Sequence, residues 1–152
     1  MGNERQRREK NEDGYEKGVV RMETKVILDT SIMVDFTRNK EHAVSLVKEL
    51  SEKHEVCTTD INVFELYYGA FKSAKKEENI KSITSLLNRI EILNLSHESI
   101  KKAAEILVNL EKKGEQIDFR DLLIGTIALV NNNSIKTNNI KHFERIEGLN
   151  VI

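Results

Sequence analysis

Short apolar runs alternate with longer helical patterns along the chain from Lys25 to the C-terminus. The strand-like runs fall at 26–28, 56–58, 90–95 and 134–137, with a fifth candidate at 149–152. Between them, apolar residues recur at the spacing of one helix face, as at Val44, Val47 and Leu50. This alternation predicts an α/β fold with a mostly parallel sheet of four to five strands and helices packed against it.

The length and composition predict one folded domain preceded by a polar arm. A chain of 152 residues with 39% hydrophobic residues is enough for a single core. Residues 1–23 are almost entirely polar or charged, and we expect them to be disordered because they cannot bury enough apolar surface. The domain is then expected at 24–152. Met22 stands just before it, which leaves the alternative that the arm is an upstream extension of the reading frame.

Charge and cysteine content exclude several classes of protein. The chain has 24 Lys and Arg against 25 Asp and Glu, so a nucleic-acid partner would have to meet a local basic patch. Cys57 is the only cysteine, which rules out an internal disulfide and favours a cytoplasmic location. No apolar run reaches the roughly 18 residues of a membrane span, and the N-terminus lacks a signal-peptide pattern. No membrane association is expected.

Three acidic residues follow or lie near predicted strand ends: Asp29, Glu65 and Asp121. Ligands of open α/β sheets bind beyond the carboxyl ends of the strands, so these acids are expected to converge there. Other interpretations remain open for each. Asp29 is also suited to cap the next helix, and Glu65 to lie on a solvated surface. Asp118 shares a helix face with Asp121, and we interpret Asp118 as the helix cap and Asp121 as the functional acid.

A cluster of carboxylates indicates a divalent metal site. Carboxylates without a cation repel one another, whereas a divalent ion makes their proximity favourable. Oxygen-only ligands favour Mg²⁺ or Mn²⁺, which also bind phosphate oxygens. Such a site is suited to phosphodiester hydrolysis, because the metal activates water and stabilises the leaving oxygen.

Four segments in order resemble the motifs of PIN-domain nucleases, especially VapC-type toxins. They are VILDTS at 26–31, NVFELYYG at 62–69, IDFRDLLIGT at 117–126 and KTNNIKHF at 136–143. The resemblance implies a three-layer α/β/α fold and a Mg²⁺- or Mn²⁺-dependent endoribonuclease of a toxin–antitoxin system. It also implies an RNA substrate, a homodimer and an antitoxin partner that blocks the site.

The resemblance assigns roles to four positions. Asp29 and Asp121 would be the principal metal ligands, and Glu65 would bind metal or orient and deprotonate the attacking water. Asn139 would take the fourth position, where family members have Asp or Asn. Its missing charge argues against a two-metal arrangement.

Three further residues would be accessory to the site. Ser31 and Thr137 would offer hydroxyl groups to the site or to a phosphate, although both are also ordinary turn residues. Asp118 would assist or substitute as a spare acid.

Two other functions are compatible with parts of the sequence. An aspartyl-phosphate phosphatase would use Asp29 as a nucleophile, but it requires a second acid where Ser31 stands. A catalytically inert PIN-fold module would only bind a protein partner. The remaining candidates are interpreted structurally: the four histidines as surface or packing residues, Tyr67 and Tyr68 as core or dimer contacts, and Gly69 as a site of close packing.

Overall fold

The computed structural model describes residues 24–152, so the polar arm expected at 1–23 lies outside the described range. The strands are β1 (Val26–Leu28), β2 (Val56–Thr59), β3 (Glu91–Leu93) and β4 (Ser134–Lys136). The helices are α1 (Thr30–Thr37), α2 (Glu41–Lys53), α3 (Asp60–Lys72), α4 (Lys76–Leu87), α5 (His97–Lys112), α6 (Phe119–Val130) and α7 (Ile140–Phe143).

The four strands form one parallel sheet in the order β3-β2-β1-β4. In register, Ile27 of β1 lies opposite Cys57 of β2 and Ile135 of β4. The fifth candidate strand forms only a single parallel bridge, between Val151 and Ile135. The predicted sheet of four to five strands is therefore confirmed with four strands.

Helices cover both faces of the sheet, and β1 is therefore buried on both sides. Val26 and Leu28 belong to one core cluster, which includes Ile32 of α1 and Leu66 of α3. Ile27, between them in sequence, belongs to a second cluster with residues of α6 and α7. Alternate side chains of a strand point to opposite faces, so the two clusters are the two helix–sheet interfaces of a three-layer α/β/α fold. The fold class is confirmed.

Parallel strands bring several helix starts to one edge of the sheet. Asp29 and Thr137 directly follow β1 and β4, and Thr59 ends β2. The Thr59 hydroxyl caps α3 by accepting from the amide of Asn62 at 3.2 Å. This edge carries the candidate site, as expected for ligands at the carboxyl ends of parallel strands.

The predicted helix pair at 61–90 is present as α3 and α4, which pack together. Tyr67 packs against the first core cluster, whereas Tyr68 is half exposed. Gly69 is exposed, and a Cβ added there would meet nothing within 4 Å. Close packing at Gly69 was therefore a wrong expectation. Across residues 24–152, every helix is too short or too polar to cross a membrane.

Candidate active site

Asp29 lies at the centre of the candidate site, at the end of β1. Its side chain is only 3% exposed. Asp29 occupies the N-cap position of α1 but makes no side-chain capping hydrogen bond. Its Oδ1 instead accepts from Nδ2 of Asn62 at 3.0 Å, and its Oδ2 accepts from Oγ1 of Thr137 at 2.7 Å. The carboxylate is thus oriented by neighbours from α3 and from the end of β4.

Glu65 approaches the site from the second turn of α3. Its Oε1 accepts from Oγ1 of Thr30 at 3.0 Å, and its side chain is 20% exposed. A guanidinium nitrogen of Arg120 lies 3.7 Å from Oε2. Thr30 and Arg120 therefore restrain the Glu65 side chain at the edge of the site, so Glu65 is not a freely solvated surface glutamate.

Asp121 enters the site from the first turn of α6. Its Oδ2 accepts from Nδ1 of His142 at 2.8 Å, and its side chain is 15% exposed. Asp118 is the N-cap of this helix, where its Oδ1 accepts from the amides of Arg120 at 2.9 Å and Asp121 at 3.4 Å. The structure thus gives Asp118 a capping role and leaves the Asp121 carboxylate facing other side chains.

Burial and neighbouring acidic charges raise the pKa values of Asp29 and Glu65. Burial raises the pKa of Asp29, and the charge of Asp121 raises it further, against the hydrogen bonds from Thr137 and Asn62. Burial also raises the pKa of Glu65, to which the charges of Asp29 and Asp121 add. A cation placed among these carboxylates would relieve both the repulsion and the cost of burial.

Asp118 behaves differently, which agrees with its role as a cap. Burial opposes its ionisation, but the two amide hydrogen bonds and the nearby Arg120 guanidinium together hold its pKa below the usual value. Asp118 is compensated by its own helix and does not share the electrostatics of the buried acids.

The remaining predicted residues lie around Asp29 and differ in the hydrogen bonds that they make. Thr137 is buried and bonds Asp29 directly. Ser31 Oγ accepts from the amide of Asn138 at 3.4 Å, which ties α1 to the segment after β4. Asn139 is exposed at the start of α7, where its backbone N–H donates to Thr137 Oγ1 at 2.9 Å and its carbonyl accepts from the amide of His142 at 3.1 Å. A catalytic role for Asn139 stays a prediction.

The donor set fits Mg²⁺ or Mn²⁺ in its chemistry. Asp29, Glu65 and Asp121 offer oxygen ligands only. Burial is the main cause of the raised pKa values of Asp29 and Glu65, and neighbouring acidic charges add to it, so a cation would favour the charged form of both groups. Within residues 24–152, however, no three His, Cys, Asp or Glu side chains stand close enough to hold one ion together. For one ion to be held by these acids, Glu65 and Asp121 would have to move away from their present partners, Arg120 and His142.

A groove of about 110 Å³ begins at Glu65 and runs between α1, α3 and α4. Val34, Leu66, Ala70 and Ile83 give it an apolar lining, while Arg38, Ser73 and Asn79 add polar groups. Glu65 is the member of the acid site that lines this groove.

Sequence reasoning missed four residues that hold the acids in place. These are Thr30, Asn62, Arg120 and His142. Asn62 lies three residues before Glu65 on the same helix, a spacing that places both on one helix face. His142 is a surface residue, in agreement with its interpretation, and its pairing with Asp121 is the part that the sequence did not indicate.

Comparison with known proteins identifies relatives of the whole described domain. The sequence profile of the PIN domain matches residues 26–149. Ribonuclease VapC2 of Rickettsia felis is 35% identical over 124 residues, which cover 81% of this chain and 92% of the relative. The tRNA(fMet)-specific endonuclease VapC of Shigella flexneri is 30% identical over 125 residues, covering 82% and 94%.

Solved structures give the same match at the level of the fold. The VapBC2 complex of Rickettsia felis bound to a promoter DNA fragment contains a chain that superposes with a TM-score of 0.78 at 32% identity, covering 84% of this chain and 97% of that one. The DNA-bound VapBC of Salmonella typhimurium contains a chain that superposes with a TM-score of 0.77 at 28% identity. The match covers 85% of this chain and 97% of that one.

Proposed function

The chain belongs to the PIN-domain family, and on that premise we propose that it is a metal-dependent endoribonuclease, the toxin of a VapBC-type toxin–antitoxin pair. The observation that carries the proposal is the buried Asp29 carboxylate, whose pKa is raised by burial and by the charge of Asp121. A buried, charged group with acidic neighbours is expected at a functional site. Stability alone would not favour it, because burying a charge is costly.

Asp29 and Asp121 are the residues we assign to the metal, with Glu65 beside them. Bound Mg²⁺ or Mn²⁺ would supply an activated water and charge stabilisation for a phosphodiester. Glu65 suits proton transfer from the attacking water, since burial raises its pKa toward the range of a general base. Arg120 lies beside Glu65 with a half-exposed side chain, suited to contact a phosphate oxygen.

RNA is the substrate class we propose. Support comes from the names of the relatives, which are a ribonuclease and a tRNA(fMet)-specific endonuclease. Because the chain has a net charge of −1, contacts to an RNA backbone must be local. Arg38 in the groove beside Glu65 is placed for such a contact.

The partners we propose are an antitoxin and a second copy of this chain. The antitoxin follows from the solved relatives, which are VapBC complexes. The homodimer is supported by α3, where Phe64, Tyr68 and Phe71 are 58%, 50% and 62% exposed. Exposed aromatic side chains grouped on one helix commonly mark a protein interface.

RNA cleavage by the purified protein tests the proposed function. We would incubate labelled initiator tRNA and an unstructured RNA with Mg²⁺ or Mn²⁺, with EDTA as the control. The variants are Asp29→Asn and Asp121→Asn. Asp35→Asn is the matched control, because Asp35 is an acid of α1 that pairs with Lys40 at 2.7 Å, outside the acid site.

Cleavage by the wild type and by Asp35→Asn, lost in EDTA and in both site variants, is the expected result. Removing a metal ligand should reduce the rate at least about 100-fold, comparable to the loss of a main electrostatic contribution. Cleavage that persists in folded Asp29→Asn and Asp121→Asn proteins would contradict the proposal. Absence of cleavage by every form, on these and on total cellular RNA, would favour the inert binding module.

A further inference from the structure

Asn62 is buried beneath the acid site and uses its whole side-chain amide there. It is 0% exposed. One amide hydrogen is donated to Asp29 Oδ1 and the other to Thr30 Oγ1, each at 3.0 Å. Its Oδ1 accepts from the hydroxyl of Thr59 at 2.7 Å. Because a carboxylate can only accept, the amide nitrogen must face Asp29, which fixes the orientation of the side chain.

Thr30 extends this network from Asp29 to Glu65. The Thr30 hydroxyl accepts from Asn62, so its single hydrogen is available for Glu65, and Oγ1 lies 3.0 Å from Oε1 of that residue. A directed series of hydrogen bonds therefore runs from Thr59 through Asn62 and Thr30 to Glu65. Asn62 is the branch point that also reaches Asp29.

Asn62 is uncharged, so it orients the Asp29 carboxylate without compensating its negative charge. Oδ1 of Asp29 accepts from Asn62 and Oδ2 accepts from Thr137, so uncharged donors orient both oxygens of the carboxylate. A lysine or arginine at this position would cancel the charge of Asp29 and compete with a metal ion. An amide holds the carboxylate in place and leaves its negative charge available.

We infer that Asn62 is a positioning residue, which sets the orientation of Asp29 and, through Thr30, of Glu65 for binding a divalent cation. The inference rests on the proposed function, because it takes the acid site as the metal site. Residues that hydrogen-bond to metal ligands tune metal affinity, and their loss typically weakens it about 10- to 100-fold.

Mn²⁺ binding to the full chain, followed by the electron paramagnetic resonance signal of free Mn²⁺, tests the inference without an activity assay. Asn62→Leu keeps the number and branching of the side-chain heavy atoms and removes both amide donors. Thr58→Val is the matched control: Thr58 is equally buried, but its hydroxyl donates to the carbonyl of Leu28 at 3.1 Å and not to an acid. Asp29→Asn serves as the reference for loss of the metal site itself.

We expect Asn62→Leu to raise the Kd for Mn²⁺ about 10- to 100-fold and Thr58→Val to leave it within about twofold. Circular dichroism without metal should show Asn62→Leu folded, and raising the Mn²⁺ concentration should then restore its RNA cleavage. If Asn62→Leu does not fold, Thr30→Val decides the question, since it breaks the bond to Glu65 at the half-buried start of α1.

A folded Asn62→Leu protein with the wild-type Kd would overturn the inference, as would an equal loss of affinity in Thr58→Val. For Thr30→Val, an unchanged Kd would do the same. The failure of the proposed function has a different signature: the wild type itself would not bind Mn²⁺, or Asp29→Asn would bind it equally well.

Discussion

At the level of single residues, two opposing effects act on the charged form of Asp29. Burial disfavours its charge, whereas hydrogen bonds from Asn62 and Thr137 stabilise the charged form. Neither neighbour is charged, so the carboxylate keeps its charge for a ligand. At the proposed metal site, the carboxylate would therefore be oriented before a cation binds.

Mn²⁺ should stabilise the wild type against unfolding more than it stabilises Asp29→Asn. A ligand that binds only the folded state adds stability, about 2.7 kcal/mol at a concentration 100 times its Kd. Thermal unfolding with and without Mn²⁺, followed by circular dichroism, measures the difference. An equal shift for both proteins would place Mn²⁺ binding elsewhere on the chain.

Cys57 should be unreactive in the folded protein. It is 0% exposed in β2, and burial raises the pKa of its thiol to about 12. Iodoacetamide at pH 8.5 should label it only after denaturation in urea, as measured by mass spectrometry. The unfolded thiol ionises at a lower pH than the folded one, so the same burial lowers stability as the pH rises above about 9. Equal labelling of folded and unfolded protein would contradict this account.

The sequence allowed the main acids to be predicted but not their neighbours. Asp29, Glu65 and Asp121 stand in recognisable sequence patterns. Asp29 lies at the end of β1, whereas Glu65 and Asp121 reach the site from α3 and α6, and α6 follows a helix where a strand end was expected. Asn62 and His142 act through partners 33 and 21 residues away. Such pairings depend on how α3 and α7 pack, which no local pattern specifies.

At the scale of elements, the strands were predictable because their apolar runs are short and separated by helical patterns. The run at 90–95 became a strand only at Glu91–Leu93, since β3 is an edge strand with one paired neighbour. Helix faces were predicted less accurately. Val44 belongs to the apolar face of α2 but is 38% exposed, because the helix buries only Ala43, Val47 and Leu50.

Two glycines in helices should respond differently to alanine. Gly69 in α3 has open space around a Cβ, so Gly69→Ala should stabilise the protein by about 0.5 to 1 kcal/mol through lower backbone entropy of the unfolded chain. In α6, a Cβ on Gly125 would clash with Cδ1 of the buried Ile146, with Phe143 and Leu149 also close. In Gly125→Ala, overpacking should offset the entropic stabilisation that is expected for Gly69→Ala.

Urea unfolding of the two glycine variants measures this contrast. The prediction requires a higher free energy of unfolding for Gly69→Ala than for Gly125→Ala. The reverse order would mean that α3 packs against more than the structure shows at Gly69.

At the scale of the whole molecule, the three-layer fold buries β1 on both faces and leaves α3 with exposed aromatic side chains. Phe64 and Tyr68 stack with ring centres 6.0 Å apart, and Lys76 lies over the ring of Phe71. Their exposure on a chain with a well-formed core favours an interface with a second copy over a role in folding.

The wild type should therefore run at twice the chain mass in size-exclusion chromatography with light scattering. Phe71→Asp should shift it to the monomer, because a charge would be buried in the interface. Val108→Asp is the matched control, since Val108 is 47% exposed on α5. A wild type that is monomeric at high concentration, or a Phe71→Asp variant that stays dimeric, would contradict the assignment of this face.

A crystal structure of the protein grown with Mn²⁺, with data collected at the manganese absorption edge, tests the central claim most directly. We expect one anomalous peak at the carboxyl edge of the sheet, within about 2.3 Å of carboxylate oxygens of Asp29 and Asp121, near Glu65. Saturating Mn²⁺ that leaves this position without a peak, or a peak held by other residues, would contradict the assignment of these acids as the metal site of a ribonuclease.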